Sequence, residues 1–523
     1  MLIGFWYASE ESKKAALKAF IIARVGDSAL LAALALLFLY MPDRTLDFVN
    51  IQNVFQNGGE AAAPAITTAI GLLLILAAAG ITAQFPFHGW LPDAARTPLA
   101  AIALIQGVGM PALGVYLLVR MMPLLEDSHG AMVTLSWVGG ISALLAAIVA
   151  AVQRDIRRVL AYSTISQMGH MLMALGLGAQ TGAIFYLLTH ALFKPLLLLA
   201  AGNVISAAKT ADIYEMGGLG RRMPVTAWTF GIGGLAMAGI PPLAGFWSRD
   251  AIASVAMDAS TPLFLAGTGA AFCTALYLTR LYFVVFAGPM RESAALQGSV
   301  PAVPQAPATA KPPVQPIKSP AQPAKPPAHS VKTPALPSAA SAAGSAPGKP
   351  GFPAAMKLPL AALALLILPV GLLETPWSGR LGTWLSGVYE APHGGVNAMI
   401  VSVAASALGI YLGWLIYMKG TVRLRRDEIP SRAAWVVPML EQGFYIDAAI
   451  RIVIVRPLLG LGRLLHRFDS MAVEGAGALT AESAFAAGGL LHRLLGRRGP
   501  VYGFLAVIAF IMIAAALAGR RFW

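Results

Sequence analysis

Long apolar runs recur through this chain, and they constrain its fold more than any other feature. They lie near residues 15–41, 64–87, 98–123, 131–153, 156–178, 180–207, 225–256, 260–287, 356–373, 395–418 and 501–519. A helix needs roughly 20 apolar residues to cross the hydrocarbon of a bilayer, so the runs give about eleven transmembrane helices. Inside lipid every backbone N–H and C=O must find a partner within the protein, which leaves only helices and closed barrels. Barrel strands are short and alternate in polarity, whereas these runs are long and continuously apolar. The expected fold is therefore an all-α integral membrane protein. A composition of 57% hydrophobic and 12% charged residues agrees with that.

The formal net charge of +14 invites a nucleic-acid reading, but the cations are placed as membrane topology places them. They gather after alternate runs: Lys13, Lys14 and Lys18; Arg154, Arg157 and Arg158; Lys209, Arg221 and Arg222; the lysines of 311–349; then Lys419, Arg423, Arg425 and Arg426. The intervening loops hold Glu126, Asp127, Glu374 and Glu390 with few cations. By the positive-inside rule, residues 8–15, 154–158, 208–223, 288–355 and 419–500 face the cytoplasm, with Arg520 and Arg521 a minor exception. No nucleic-acid partner is expected, and the partners the composition does call for are membrane lipid and other membrane helices. The one cysteine, Cys273, excludes an internal disulfide and a four-cysteine iron–sulfur or zinc site. No dinucleotide fingerprint or phosphate loop follows a predicted strand. The expectation is a chain with no cofactor and no metal of its own.

Residues 288–355 stand apart. They are rich in Pro, Ala, Ser and Lys without apolar periodicity, and they read as a disordered cytoplasmic linker. Two apolar runs are interrupted by Gly and Pro, in GITAQFPFHGWLPD (80–93) and GIPPLAGFWSRD (239–250). Broken helices in corresponding positions of two halves point to an inverted-repeat transporter bundle. Unwound backbone at membrane depth must line a cavity or be covered by protein. Two simple proline kinks are the bland alternative. Residues 445–496 mix Ile452, Val453, Ile454, Val455, Leu458 and Leu459 with Arg451, Arg456, Arg463 and Arg467. They predict an amphipathic helix lying along the cytoplasmic surface, interrupted at Pro457 and several glycines.

Ionisable residues inside the apolar runs are the candidate site. Burying a lysine at bilayer depth costs a few kcal/mol or more, so it is normally functional or paired. Lys194 lies half-way along its run, and His190 sits one turn before it on the same helix face, with Tyr186 one turn earlier still. Groups that exchange protons where water is scarce suggest proton or ion transfer. His170 lies mid-run and suits either a relay or packing. Arg24 and Asp27 are spaced for a structural ion pair. Arg249 and Asp250 follow the second break and suit a fixed pair or a site. Arg157 is in part a topology signal.

Three segments resemble the antiporter-like subunits of respiratory complex I and their Mrp-type antiporter relatives. They are QFPFHGWLPDA (84–94); RDIRRVLAYSTISQMGHM (154–171) with THALFK (189–194); and MGGLGRRMP (216–224) with AGIPPLAGFWSRD (238–250). The opening LIGFWYASEESKKAALKAFIIARVGD (2–27) and the C-terminal order of span, lateral helix and final span resemble the L-type members. The resemblance implies a relay of lysines, histidines and one glutamate along the membrane centre. It places His190 and Lys194 at the central pair, Arg157 at a lysine, Asp27 at an acid near the first half-channel, and Arg249 at the lysine of the second broken helix. An arginine keeps its charge but releases protons poorly. The lysine of the first broken helix falls at Ile81 and the histidine of the next helix at Gln106. The partner glutamate lies before the family's Leu-Ile-Gly-Phe sequence, so about four helices and most of a fifth are absent from this sequence. A misplaced start, a split gene and a truncated paralog all remain open on that point.

On this resemblance the chain divides into a remnant of a first antiporter half (1–123), a second half (124–287), the linker (288–355), additional spans (356–418), a cytoplasmic-side segment with the lateral helix (419–500) and a final span (501–523). The function it implies is proton translocation in a bacterial inner-membrane NADH–quinone oxidoreductase. Electron transfer would occur in sister membrane and hydrophilic subunits. The alternatives are a cation/proton antiporter, an inorganic-carbon-uptake subunit, and a non-pumping structural paralog.

Overall fold

The computed structural model describes residues 2–6, 8–41, 44–56, 63–95, 97–288, 354–375, 380–386, 396–418, 435–470, 475–495 and 499–519. The Pro/Ala/Lys-rich linker expected at 288–355 lies almost wholly outside them. Among the described residues the structure is helical, and the β pairing shown is a single antiparallel bridge between Asp155 and Asp212. Two compact units, Met1–Phe444 and Tyr445–Trp523, are distinguished.

The first unit contains α1 (Glu10–Tyr40), α2 (Pro64–Ile81), α3 (Leu99–Gly107), α4 (Met110–Arg120), α5 (His129–Val152), α6 (Ile156–Gly176), α7 (Gln180–Ala208), α8 (Pro224–Ala238), α9 (Ala244–Ala259), α10 (Thr261–Tyr282), α11 (Ala354–Gly371), α12 (Val396–Tyr417) and α13 (Val436–Glu441). Among the described residues, 9 helices are long and apolar enough to cross a membrane. Two expected runs are not among those 9. One is α6, which carries too many polar residues, and the other is the α8–α9 pair, which is one span broken in two. The outward faces are apolar as well: Leu31, Trp137, Trp228 and Leu265 are all exposed. On a soluble protein such surface would be a liability; lipid is its natural solvent.

Local chemistry sets the helix ends. Ser128 caps α5 by accepting from the Ala131 N–H at 3.2 Å, and Asp155 caps α6 by accepting from the Arg157 N–H at 2.8 Å. At the first break, the chain leaves α2 at Thr82 and re-enters helix at Phe87. Protein satisfies the freed backbone there. Trp90 Nε1 donates to the Gly80 carbonyl (3.0 Å), Gln84 Nε2 to the Thr82 carbonyl (2.9 Å), and the Phe85 N–H to Ser142 Oγ (3.1 Å). At the second break, Gly239 takes a left-handed φ of +73°, which ends α8 with its N–H on the Ala236 carbonyl.

Small residues bring helices together. A Cβ added to Gly139 would lie 2.2 Å from the Met173 nitrogen, and one added to Gly169 would lie 2.6 Å from the Ala143 nitrogen. The backbones of α5 and α6 therefore touch, as in membrane helix pairs that rely on van der Waals contact. Gly26 on α1 faces Gly80 on α2 in the same way. Buried Arg280 ties α10 to the end of α5: its guanidinium donates to the carbonyls of Ala151 and Gln153. Those carbonyls have lost their intrahelical donors, and a cation at a helix C-terminus also meets the negative end of its dipole. Arg280→Ala should cost about 3 kcal/mol, since two charge-assisted hydrogen bonds go and two buried carbonyls lose partners. Thermal unfolding in detergent would read this as a lower midpoint; an unchanged midpoint would show the clamp to be idle.

One end of this unit gathers several connecting segments. The Ile156 N–H donates to Ala211 (3.1 Å), Gln153 Nε2 to the Glu441 carbonyl (2.9 Å), and Arg154 lies 3.7 Å from the Glu441 carboxylate. Residues 154–158, 208–213 and 436–441, all assigned to the basic side by charge, thus share one end of the bundle.

In the second unit the amphipathic stretch is a series of pieces. A short helix, Ile446–Ile450, and a wider turn, Arg451–Val455, lead to α14 (Arg456–Phe468), then α15 (Gly475–Leu495) and α16 (Gly499–Gly519). Pro457 sits in the first turn of α14, where its missing N–H costs no hydrogen bond.

Candidate functional site

The site is built on the antiparallel helices α6 and α7. Along α6, Leu160, Ser163, Thr164, Gln167 and His170 recur at intervals of three and four, so they form one stripe. Along α7, Tyr186, His190 and Lys194 recur every four residues and face that stripe. The Lys194 ammonium, fully buried, donates to Ser163 Oγ (2.6 Å) and to the Leu160 carbonyl. Ser163 itself donates to the Leu160 carbonyl (2.9 Å), which leaves its lone pairs for the lysine. Two turns along, the Tyr186 hydroxyl donates to Gln167 Oε1. His190 lies between these contacts, fully buried and edge-on to Phe193. Its ring nitrogens find no side-chain partner among the described residues, and the Gly107 backbone of α3 is the polar group that faces the ring.

Pro195 follows Lys194 inside α7, and its ring rests against Gly107 of α3: a Cβ added there would lie 2.4 Å from Pro195 Cγ. Gly107→Ala should therefore push α3 from α7 beside the lysine, at a cost of about 1–3 kcal/mol. Proton transfer should fall more than the amount of assembled protein; an equal loss of both would mean a folding defect alone.

At the second break, Arg249 is buried and its Nη1 donates to the Met237 carbonyl (3.1 Å) in the last turn of α8. The guanidinium thus anchors the helix end that the break exposes. Arg249 and Asp250 make no ion pair, contrary to the fixed-pair reading. Consecutive helical residues point about 100° apart, so their side chains diverge. The Asp250 Oδ1 is buried with no hydrogen-bond partner among the described residues.

The remaining sequence candidates lie apart from this stripe or at its edge. Arg24 and Asp27 do pair, on the outer face of α1, with Arg24 over the Phe20 ring at 5.0 Å. Arg157 is held by Asp155, with Nη2 2.7 Å from Oδ2, and lines an open cavity of about 690 Å³ at the basic end together with Arg154, Arg158 and Glu441. Its helix position is three residues before Leu160, so the cavity wall lies within about 5 Å, along the axis, of the carbonyl that holds Lys194. Gln106 is buried and accepts from Thr164 Oγ1 (3.1 Å). Ile81 ends α2 half-buried. Sequence reasoning missed Ser163, Thr164 and Gln167, although a run of neutral polar residues inside an apolar span was the available signal. Among the described residues no group of three or more His, Cys, Asp or Glu is placed to hold a metal.

The comparisons with known proteins bear on the family and the fold. Residues 1–274 match the family model described as NADH:quinone oxidoreductase/Mrp antiporter, TM. The NAD(P)H-quinone oxidoreductase chain 5 of Picosynechococcus sp. is 33% identical over 98% of this chain and 75% of its own length. The NADH-quinone oxidoreductase subunit L of Rickettsia bellii is 41% identical over 56% of this chain and 46% of its own. Among solved structures, the Mrp complex from Dietzia sp. covers 92% of this chain with a TM-score of 0.59 at 23% identity, over 48% of that chain. A membrane-bound sulfane sulfur reductase, an archaeal respiratory complex, covers 77% of this chain and 70% of its own, with a TM-score of 0.54 at 22% identity. These two support the fold alone. The chain is a multi-pass membrane protein, and it belongs to the NADH:quinone oxidoreductase/Mrp antiporter family, among relatives of the chain 5 and subunit L type.

Proposed function

We propose that this chain translocates protons as a membrane subunit of an NADH–quinone oxidoreductase in a bacterial inner membrane. Sister subunits carry the electrons. The observation that carries the reading is Lys194: a fully buried ammonium held by a hydroxyl and a carbonyl, with no carboxylate bonded to it among the described residues. A structural lysine in lipid would be expected to pair with an acid. Here the hydrogen bonds come from neutral groups, which leaves the lysine free to change its charge. The polar stripe gives a route in both directions. The cavity lined by Asp155 and Arg157 lies about one turn of α6 from the Leu160 carbonyl, and Ser163, Gln167 and Tyr186 continue from there toward His170 and the second break. His190 stands between them as a second proton carrier. Arg157 acts at the mouth as a fixed charge, and Arg249 as an anchor beside Asp250. The division of the chain at 123, 287, 355, 418 and 500 belongs to the same proposal.

A tagged chain purified from native membranes would test the assembly. Flavin and iron–sulfur subunits should copurify, and the preparation should couple NADH oxidation to proton uptake in vesicles. Recovery without redox subunits, together with sodium–proton exchange by the purified preparation, would replace this reading by the antiporter.

A further inference from the structure

The groups around the second break carry a deeper inference, which rests on the proton-relay reading above. An arginine is a poor proton carrier, so a relay that reaches this break needs another group to carry the proton there. Between α6, α9, α10 and α12 lies a small cavity of about 20 Å³, lined by His170, Met173, Arg249, Thr268 and Ser402 among others. One water needs about 10–15 Å³ of such space and two or more polar partners. Two polar atoms of its lining residues, Arg249 Nη2 and Thr268 Oγ1, are buried and make no hydrogen bond to the described residues. A water accepting from the guanidinium and bonding the hydroxyl would satisfy both.

The imidazole of His170 is held in an unusual way. Its Nδ1 lies 2.9 Å from the Ser166 carbonyl and its Nε2 lies 3.2 Å from the Gly267 carbonyl. Both partners are pure acceptors. A neutral imidazole has one N–H and can serve only one of them, whereas an imidazolium serves both. The ring is therefore set to receive a second proton without any rearrangement of its neighbours. The ionisable groups that face it are Tyr186 of α7, edge-on at 6.3 Å between ring centroids, and Arg249 of α9 across the cavity. From α10 and α12 the cavity receives the neutral Thr268 and Ser402.

We propose that this cavity holds one ordered water and that His170, across it from Arg249, is the proton-carrying group at the second break. Arg249 serves as a fixed charge that positions the water. The test is the number of protons translocated per NADH oxidised in membranes carrying the assembled complex, with chain content measured alongside. His170→Phe keeps a ring of similar size and removes titration, and it should lower that number to about half or less while NADH oxidation continues. His170→Gln keeps a polar group that cannot titrate and should do the same. Adding Arg249→Lys to His170→Phe should restore translocation, because a lysine can release a proton where an arginine cannot. A purely structural histidine would not be rescued in this way. A normal proton yield in both single variants overturns the proposal, and so does a high-resolution map of the complex with no water within hydrogen-bond distance of Arg249 Nη2. If Lys194→Ala also leaves the yield normal, the relay reading itself fails. If Lys194→Ala loses translocation and the His170 variants keep it, this inference alone fails.

Discussion

Lys194→Ala should lower proton translocation by roughly tenfold or more while the complex still assembles and oxidises NADH, because the side chain removed is the buried charge on which the relay depends. The packing loss is modest for so deep a site. Truncation removes an ammonium whose burial was itself costly, and this offsets much of the cavity left behind. Lys194→Met separates the two effects, since it keeps the volume and removes the charge; translocation should fall just as far. Lys194→Arg keeps the charge but cannot release it, and the guanidinium must fit where the lysine is fully enclosed against Ser163 and Leu160. It should be as inactive as the alanine variant. Proton uptake by inverted vesicles, read against the rate of NADH oxidation, checks all three. If the arginine variant pumps normally, a static charge is enough and the lysine does not switch.

The parts of this arrangement that could be read from the sequence are those with local causes. Apolar runs give the spans, because each residue in lipid meets its own solvation requirement. Gly239 and the prolines after it mark the second break, since they punctuate a helix wherever they stand. Lys194 and His190 stand out because a charge in mid-span has few bland explanations. Their partners do not stand out in this way. The Leu160 carbonyl is a backbone atom, invisible to a reading of side-chain types, and Ser163 resembles any small polar residue until α7 brings the lysine to it. The i, i+3 pair Arg24 and Asp27 was legible as an ion pair for the same local reason. Adjacency misled at Arg249 and Asp250, where sequence neighbours on a helix face different ways and only the fold supplies the Met237 carbonyl. The order of charges along the chain marked 154–158 and 208–223 as one side, and the bridge between Asp155 and Asp212 joins those two loops directly.

The polar stripe also depends on how closely α6 approaches α5, and this makes Gly139 and Gly169 positions where a small substitution should do large structural harm. Each faces the backbone of the other helix: a Cβ on Gly139 would also come within 2.6 Å of the Gly169 carbonyl, and one on Gly169 within 2.7 Å of the Gly139 carbonyl. Backbone atoms cannot rotate aside as a flexible side chain can, so the helices must separate. Gly169→Val or Gly139→Val should therefore cost about 3 kcal/mol or more, at the upper end for overpacked sites. In lipid no hydrophobic force draws the helices together again, since the tails are as apolar as the side chains. Separation would also carry Ser166 away from the Ala143 carbonyl, to which it donates at 2.8 Å, and would shift the neighbouring face that holds Ser163 and Gln167. Both variants should show a lower unfolding midpoint in detergent and less chain in the membrane, with proton transfer lost in whatever protein remains. Gly234, whose added Cβ would meet nothing within 4 Å, serves as the control. Gly234→Ala should leave stability and transfer close to the starting values, and a comparable loss there would mean that the effect comes from helix substitution in general and not from the crossing of α5 and α6.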